Sequence, residues 1–195
     1  MTATELIKTA SEEIGYIGKK SNSQLDDKTA NAQGKYTKYA RDLYNASYYN
    51  GNKNGYDYCC VFVDWCFWKA SGCDKKIADK YKPVGIYGAG VNYIKGMFPK
   101  DRIDMVPRVG DQIIYKTTKG ELYHTGIVSN VDMEHGTIDT IEGNLYQNDV
   151  GCRHIQIDDN SIDCFIHPYY DKEPSEYNDE KIRELLLELV KELRL

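Results

Sequence analysis

The chain has 195 residues, a length that predicts one domain large enough to bury a hydrophobic core. Apolar residues make up 41% and charged residues 28%, which excludes collagen-like, low-complexity and strongly disordered proteins. With 25 basic and 30 acidic side chains and no dense Lys/Arg run, nucleic acid is not an expected partner. The N-terminus lacks the apolar core of a signal peptide, and no stretch approaches the roughly 20 apolar residues of a membrane span. We therefore expect synthesis in the cytoplasm without a signal peptide and no membrane partner.

Helix signals dominate the first 100 residues. Thr2 followed by Glu5 is a capping-box pattern and predicts an amphipathic helix that ends at Gly15. A second short helix is predicted in KYTKYARDLYNA. From Cys59 the sequence CCVFVDWCFWKASG is apolar nearly all round, as expected of a buried central helix. One further helix is expected around Ala89 to Lys95.

The second half carries strand signals. Short β-branched runs, separated by Gly, Asp and Asn, are GDQIIYK, ELYHTGIVSNV, GTIDTIEG, VGCRHIQID and SIDCFIH. They predict an antiparallel sheet of about five strands, so that helices followed by strands give an α+β fold.

The last 25 residues differ in character from the rest. Residues 171–195 read as an acidic linker followed by an amphipathic C-terminal helix, with Ile182, Leu186, Leu189 and Leu193 on one face. Packing on the domain, a linker stem and self-association through this helix are the alternatives.

One combination of residues could carry chemistry. Cys59 stands where a turn-rich loop meets the buried helix, so the helix N-terminus would favour its thiolate. His124, followed by two small residues, is the candidate base. Glu142 and Asn144 lie two apart and share one side if their strand continues through Gly143. Either could accept the imidazole N–H, while the other supports substrate or the oxyanion.

The remaining cysteines and histidines are assigned ordinary roles. The six cysteines form no zinc-type CxxC pair and are expected to be mostly thiols, with Cys66 in the core. His135, His154 and His167 are taken as surface residues.

Four sequence blocks occur in an order that resembles the CHAP family (cysteine, histidine-dependent amidohydrolase/peptidase). They are GYDYCCVFVDWCFWKASG, VPRVGDQIIY, YHTGIV and TIEGN. The family's nucleophile falls on Cys59, its His on His124 and its acidic-Gly-Asn on Glu142 to Asn144. Cys60 stands where a small residue such as Ala is usual. The resemblance runs from about residue 3 to residue 170, which predicts a CHAP catalytic domain over 1–170.

This resemblance implies a papain-like fold and a function. The nucleophile would lie at a helix N-terminus and face His and Glu or Asn on the sheet. The reaction would be hydrolysis of an amide bond in bacterial peptidoglycan, through a Cys thioester, at the cell wall. Three aromatic residues beside these positions, Tyr58, Trp65 and Tyr123, are the candidate substrate contacts. The resemblance implies no redox cofactor and no metal site, apart from a calcium possibility at three alternating amides in the loop before Cys59, namely Asn50, Asn52 and Asn54.

Two other kinds of function stay open at this point. One is a peptidoglycan-binding or adaptor module that keeps the fold without the chemistry. The other is a toxin or deconjugase that cleaves a different amide. The sequence also leaves open which wall amide is cut, whether the muramoyl–alanine bond, a stem-peptide bond or a cross-bridge, and whether the protein is an endolysin of a phage or prophage.

Overall fold

A computed structural model of the chain describes residues 1–30, 33–83 and 89–171. Its five α-helices are α1 (Ala3–Ser11), α2 (Lys38–Asn45), α3 (Cys59–Ala70), α4 (Lys75–Tyr81) and α5 (Val91–Ile94). Two short 3-10 turns, Lys95–Met97 and Lys100–Arg102, follow α5. The six strands are β1 (Ile103–Asp104), β2 (Gln112–Lys116), β3 (Leu122–Asp132), β4 (Thr137–Gly143), β5 (Val150–Gln156) and β6 (Ile162–Ile166).

All six strands form one antiparallel sheet in the order β1-β6-β2-β3-β4-β5. The five predicted strands are β2 to β6, and the two-residue β1 adds a short edge that the sequence pattern did not indicate. The α+β fold with about five antiparallel strands is therefore confirmed. In this register Tyr115 of β2 faces His124 of β3, and Thr140 of β4 faces Arg153 of β5.

The central helix α3 is buried along most of its length, as its apolar sequence predicts. Every residue from Cys59 to Phe67 is buried, and Phe62 and Phe67 are fully so. A fully buried side chain of this size contributes about 1.5–3 kcal/mol through the hydrophobic effect. The helix packs against β3 and β4, with α1 and α2 on its other sides. This packing fixes the N-terminus of α3 relative to the sheet.

The flanking helices follow their capping signals. The Thr2 side chain accepts from the backbone N–H of Glu5 and completes a capping box, although α1 ends at Ser11 rather than at Gly15 because a turn follows. The side chain of Thr37 caps α2, and that of Asp74 caps α4, a helix that the sequence analysis missed.

One polar cluster lies inside the core behind α3. Asp64 is fully buried and forms an ion pair with the equally buried Lys82. The hydroxyl of Tyr49 donates to the other carboxylate oxygen of Asp64 at 2.5 Å. This cluster adds an ion pair to the apolar contacts between α3 and α4.

His167 is not the surface residue that the sequence predicts. It is 1% exposed and lies between two carboxylates. Its Nδ1 is 2.9 Å from Oδ1 of Asp111, and its Nε2 is 3.0 Å from Oδ1 of Asp104. His135 and His154 are exposed, as expected.

The predicted acidic linker and C-terminal helix at 171–195 lie outside the described residues, apart from Asp171. Within the described ranges, no helix is both long enough and apolar enough to cross a membrane.

Candidate active site

Cys59 is the first residue of α3, as the sequence predicts. The preceding Tyr58 makes no side-chain cap, whereas α1, α2 and α4 each have one. The first N–H groups of a helix have no acceptor within the helix, and the side chain before α3 does not accept from them. The backbone N–H and the thiol of Cys60 both donate to the Cys59 sulfur. The helix terminus therefore favours a thiolate at Cys59.

His124 connects Cys59 to the sheet. It lies near the start of β3 and is 7% exposed. Its Nε2 lies 2.7 Å from Oε2 of Glu142, so Nδ1 is the ring nitrogen left for its hydrogen bond with Cys59. A cysteine, an imidazole and a carboxylate thus follow one another in hydrogen-bonded order, the arrangement that activates a thiol nucleophile.

The three groups hold one another in charged form. The hydrogen bonds from Cys60 and His124 outweigh burial and lower the pKa of the Cys59 thiol to about 5. Burial opposes a charged imidazole, but the hydrogen bonds with Cys59 and Glu142 raise the pKa of His124 to about 9. Burial likewise opposes a charged carboxyl, yet His124 and Arg153 lower the pKa of Glu142 to about 2. At neutral pH the site is therefore a thiolate–imidazolium pair supported by a carboxylate.

Glu142 is fully buried but well supplied with donors. The Tyr115 hydroxyl donates to Oε1 at 2.7 Å, and the Thr140 hydroxyl donates to the same oxygen at 2.6 Å. The Arg153 Nε lies 3.0 Å from both oxygens, and its Nη2 lies 2.6 Å from Oε2. Gly126 leaves the space for this side chain, because a Cβ there would lie 2.4 Å from Cγ of Glu142.

These supporting donors were missed by the sequence analysis. Tyr115, Thr140 and Arg153 come from three strands, and only the pairing register brings them to one carboxylate. The signal available in the sequence was the period-2 pattern, which places Thr140 and Glu142 on one face of β4.

Asn144 does not share the side of Glu142 that a continuous strand would give it. Strand β4 ends at Gly143, and Asn144 adopts a left-handed φ of 62°. Its Nδ2 donates to Oδ1 of Asp57 at 2.9 Å, while Glu142 alone accepts from His124. Of the two residues left open as partner of the imidazole, the structure brings Glu142 to it.

Asp57 is a second neighbour that the sequence analysis passed over. It lies two residues before Cys59, and Lys35 binds its Oδ1 at 2.6 Å. The Lys35 ammonium, the Asn144 amide and the charge of His124 lower the pKa of this carboxyl. The exposed carboxylate of Asp57 thus lies next to the candidate active site, in contact with Asn144.

The three aromatic residues expected to contact substrate separate into two groups. Tyr58 is fully buried and its hydroxyl donates to the carbonyl of Asn148, while Trp65 is 4% exposed and its Nε1 donates to Asp42 at 3.0 Å. Both are core residues, so the expectation is corrected for these two. Tyr123 is 50% exposed with its ring centroid 6.0 Å from that of His124, and its contact with substrate stays a prediction.

In the loop of the calcium possibility, two of the three amide side chains accept hydrogen bonds from backbone N–H groups. Oδ1 of Asn52 accepts from the N–H of Asn54, and Oδ1 of Asn54 accepts from the N–H of Thr37. Asn50, the third amide, precedes them in the same loop. Within the described part of the chain, no group of three or more His, Cys, Asp or Glu side chains is arranged to hold a metal ion. A calcium site at this loop stays a prediction.

Known proteins resemble this chain in sequence or in fold. Residues 49–144, which include Cys59, His124 and Glu142, match the CHAP domain family. The fold is similar to the crystal structure of Ly7917, with a TM-score of 0.51 at 12% identity, over 86% of this chain and 62% of that one. A second crystal structure, Ly7917 with the hydrolyzing product of MDP, gives a TM-score of 0.47 at 13% identity over 86% and 63% of the two chains.

The likeness to Ly7917 concerns the fold alone, and this chain spans less than two thirds of its length. No curated protein sequence matches the chain. The similarity to the CHAP domain family therefore covers residues 49–144.

Proposed function

We propose that the protein is a peptidoglycan hydrolase that cleaves an amide bond of the bacterial cell wall by cysteine chemistry. The observation that carries the proposal is the hydrogen-bonded series Cys59, His124 and Glu142, with Cys59 at the uncapped N-terminus of α3. The CHAP domain match and the solved Ly7917 complex with the hydrolyzing product of MDP are in keeping with a wall substrate.

In the first half of the proposed reaction, the Cys59 thiolate attacks the scissile carbonyl carbon. The amide N–H groups at the start of α3 stabilise the oxyanion that forms. Imidazolium His124 gives its Nδ1 proton to the departing nitrogen, the C–N bond breaks, and a thioester to Cys59 remains.

In the second half, neutral His124 takes a proton from water as that water attacks the thioester. The C–S bond breaks, the carboxylic acid product leaves, and the thiolate–imidazolium pair is restored. Glu142 holds Nε2–H throughout, so that Nδ1 always faces the reacting atoms. The sum is one amide and one water giving one acid and one amine.

The test is incubation of Gram-positive sacculi with purified protein, with Cys59→Ala and with Cys66→Ala, followed by mass spectrometry of the soluble fragments. Cys66 is a buried thiol of the same helix, so its variant controls for the loss of a thiol from α3. Fragments from the native protein and Cys66→Ala, and none from folded Cys59→Ala, are expected, and their new termini identify the bond.

Fragments from Cys59→Ala would overturn the cysteine mechanism. Binding to sacculi without any fragments, across several wall types, would instead favour the adaptor function. A lytic role in a phage or prophage is a finer prediction. Lysis of whole bacteria after addition of the protein would test its lytic part.

A further inference from the structure

Arg153 binds the carboxylate of Glu142 in the candidate active site. It projects from β5 directly opposite Thr140, so it is a diagonal cross-strand neighbour of Glu142. Its side chain is 19% exposed, and its guanidinium lies 4.2 Å above the Tyr115 ring. This stacking and the three contacts with Glu142 hold the guanidinium in one orientation.

A buried carboxylate needs a partner of opposite charge, or it takes up a proton. The titratable and charged groups that face Glu142 are Tyr115 from β2, His124 from β3 and Arg153 from β5. Tyr115 is uncharged, because burial raises its pKa well above 10. The positive charge beside Glu142 therefore comes from His124 and Arg153.

His124 cannot serve as the permanent cation. In the proposed reaction it gives up its proton to the leaving amine and stays neutral until water is deprotonated. During that interval Arg153 is the cation left beside Glu142 among the described residues. Without it, a protonated Glu142 would donate to Nε2, the ring proton would move to Nδ1, and His124 would be unable to accept a proton from water.

We propose that Arg153 is a positioning residue, whose guanidinium keeps Glu142 as a carboxylate acceptor for Nε2–H of His124 in both protonation states of the imidazole. This inference rests on the proposed cysteine hydrolysis but not on the identity of the amide that is cleaved. The proposal predicts that loss of Arg153 changes the protonation of Glu142 and His124, which loss of a packing contact alone would not do.

The test measures the rate of Cys59 alkylation by iodoacetamide as a function of pH, with the adduct located by peptide mass spectrometry. It compares the native protein with Arg153→Met, which keeps the apolar stem, and with Arg153→Lys, which keeps the charge. His154→Gln is the matched control, since His154 lies next to Arg153 on β5 and the variant removes only an exposed hydrogen bond with Asp139 of β4. Thermal unfolding of each variant is recorded alongside.

The acid limb of alkylation is expected near pH 5 in the native protein and in His154→Gln. In Arg153→Met the acid limb should move upward. Loss of the close opposite charge raises the pKa of the Glu142 carboxyl by about 1–3 units from its value of about 2, so Glu142 takes up a proton nearer to the acid limb and no longer supports the imidazolium beside Cys59. Arg153→Lys should restore most of the native profile. If Arg153→Met fails to fold, Arg153→Gln takes its place.

An unchanged acid limb in the folded Met or Gln variant would overturn the proposal, as would an equal shift in Arg153→Lys. Because alkylation needs no substrate, inert sacculi would count against the proposed function and leave this result standing.

Discussion

Nε2 of His124 lies 2.7 Å from Oε2 of Glu142, and both side chains are buried where β3 and β4 pair. This contact decides which ring nitrogen of His124 faces Cys59. It also places an anion beside an imidazole that must carry a positive charge in the resting site.

Replacement of Glu142 by Gln should therefore remove activity while nearly preserving shape. The variant loses the charge that supports the imidazolium and can present an amide N–H to Nε2, which favours the wrong tautomer. A fall in kcat of roughly 10⁴-fold is expected, the size seen when a triad carboxylate is neutralised. Rates of fragment release from sacculi would measure it.

The control for this variant is Glu134→Gln, an exposed carboxylate in the turn before β4. It should retain native rates. A Glu142→Gln protein with native kcat would show that the contact with His124 has no catalytic role.

The pH dependence of sacculus cleavage should form a bell. The active form needs an ionised Cys59, which exists above about pH 5, and a protonated His124, which exists below about pH 9. Initial rates at low, sub-saturating amounts of sacculi report the free enzyme, so they should rise through the lower value, stay level at neutral pH and fall through the higher one. Because Cys59 and His124 interact, both limbs are properties of the pair rather than of one residue.

A limb centred near pH 6.5, the value of an ordinary histidine, would contradict this ion pair. His135→Gln provides the comparison, because His135 is exposed and should affect neither limb.

The proposed nucleophile and base could be singled out from sequence, whereas the residue that joins them as the third could not. Cys59 follows a turn-rich loop and His124 precedes two small residues, and the structure brings these two side chains together. The choice between Glu142 and Asn144 depends on where β4 ends, and the left-handed backbone at Asn144 is not visible in residue spacing.

The other errors have two physical origins. Trp65 lies on a helix that is apolar all round and Tyr58 directly precedes it, and such a sequence does not tell which side faces outward. Arg153 and His167 interact with residues distant in the chain, so their partners follow only from strand register. Contacts within one element were predictable, but contacts between strands were not.

The buried pair behind α3 should matter for stability. Lys82→Met leaves Asp64 charged and unpaired in the core, so we expect a loss of about 3–5 kcal/mol in the free energy of unfolding. Lys8→Met removes an exposed ion pair with Glu12 and should change it by less than about 0.5 kcal/mol. Urea denaturation of both would compare them, and equal midpoints would contradict a structural role for Lys82.

The close approach of α3 to β4 should make Gly143 intolerant of a side chain. A Cβ there would lie 2.6 Å from Cβ of Phe62, so Gly143→Ala must push the helix away from the strand. A loss of about 1–3 kcal/mol is expected. Cys59 alkylation at neutral pH should also slow, since Phe62 lies one turn from Cys59.

Gly51→Ala is the comparison, because a Cβ at Gly51 meets nothing within 4 Å. Native alkylation rates in Gly143→Ala would mean that the helix can yield without displacing the nucleophile.

The separation of the site over three elements has a consequence for the newly made chain. Cys59 emerges on α3 before the strands that carry His124 and Glu142, and it meets them only when β3 and β4 have paired. Until then the Cys59 thiol has only the contacts that α3 itself provides and lacks His124, the second of the two hydrogen-bond partners that lower its pKa. Pairing of the strands thus completes the proposed nucleophile, and its full reactivity is expected only in the folded domain.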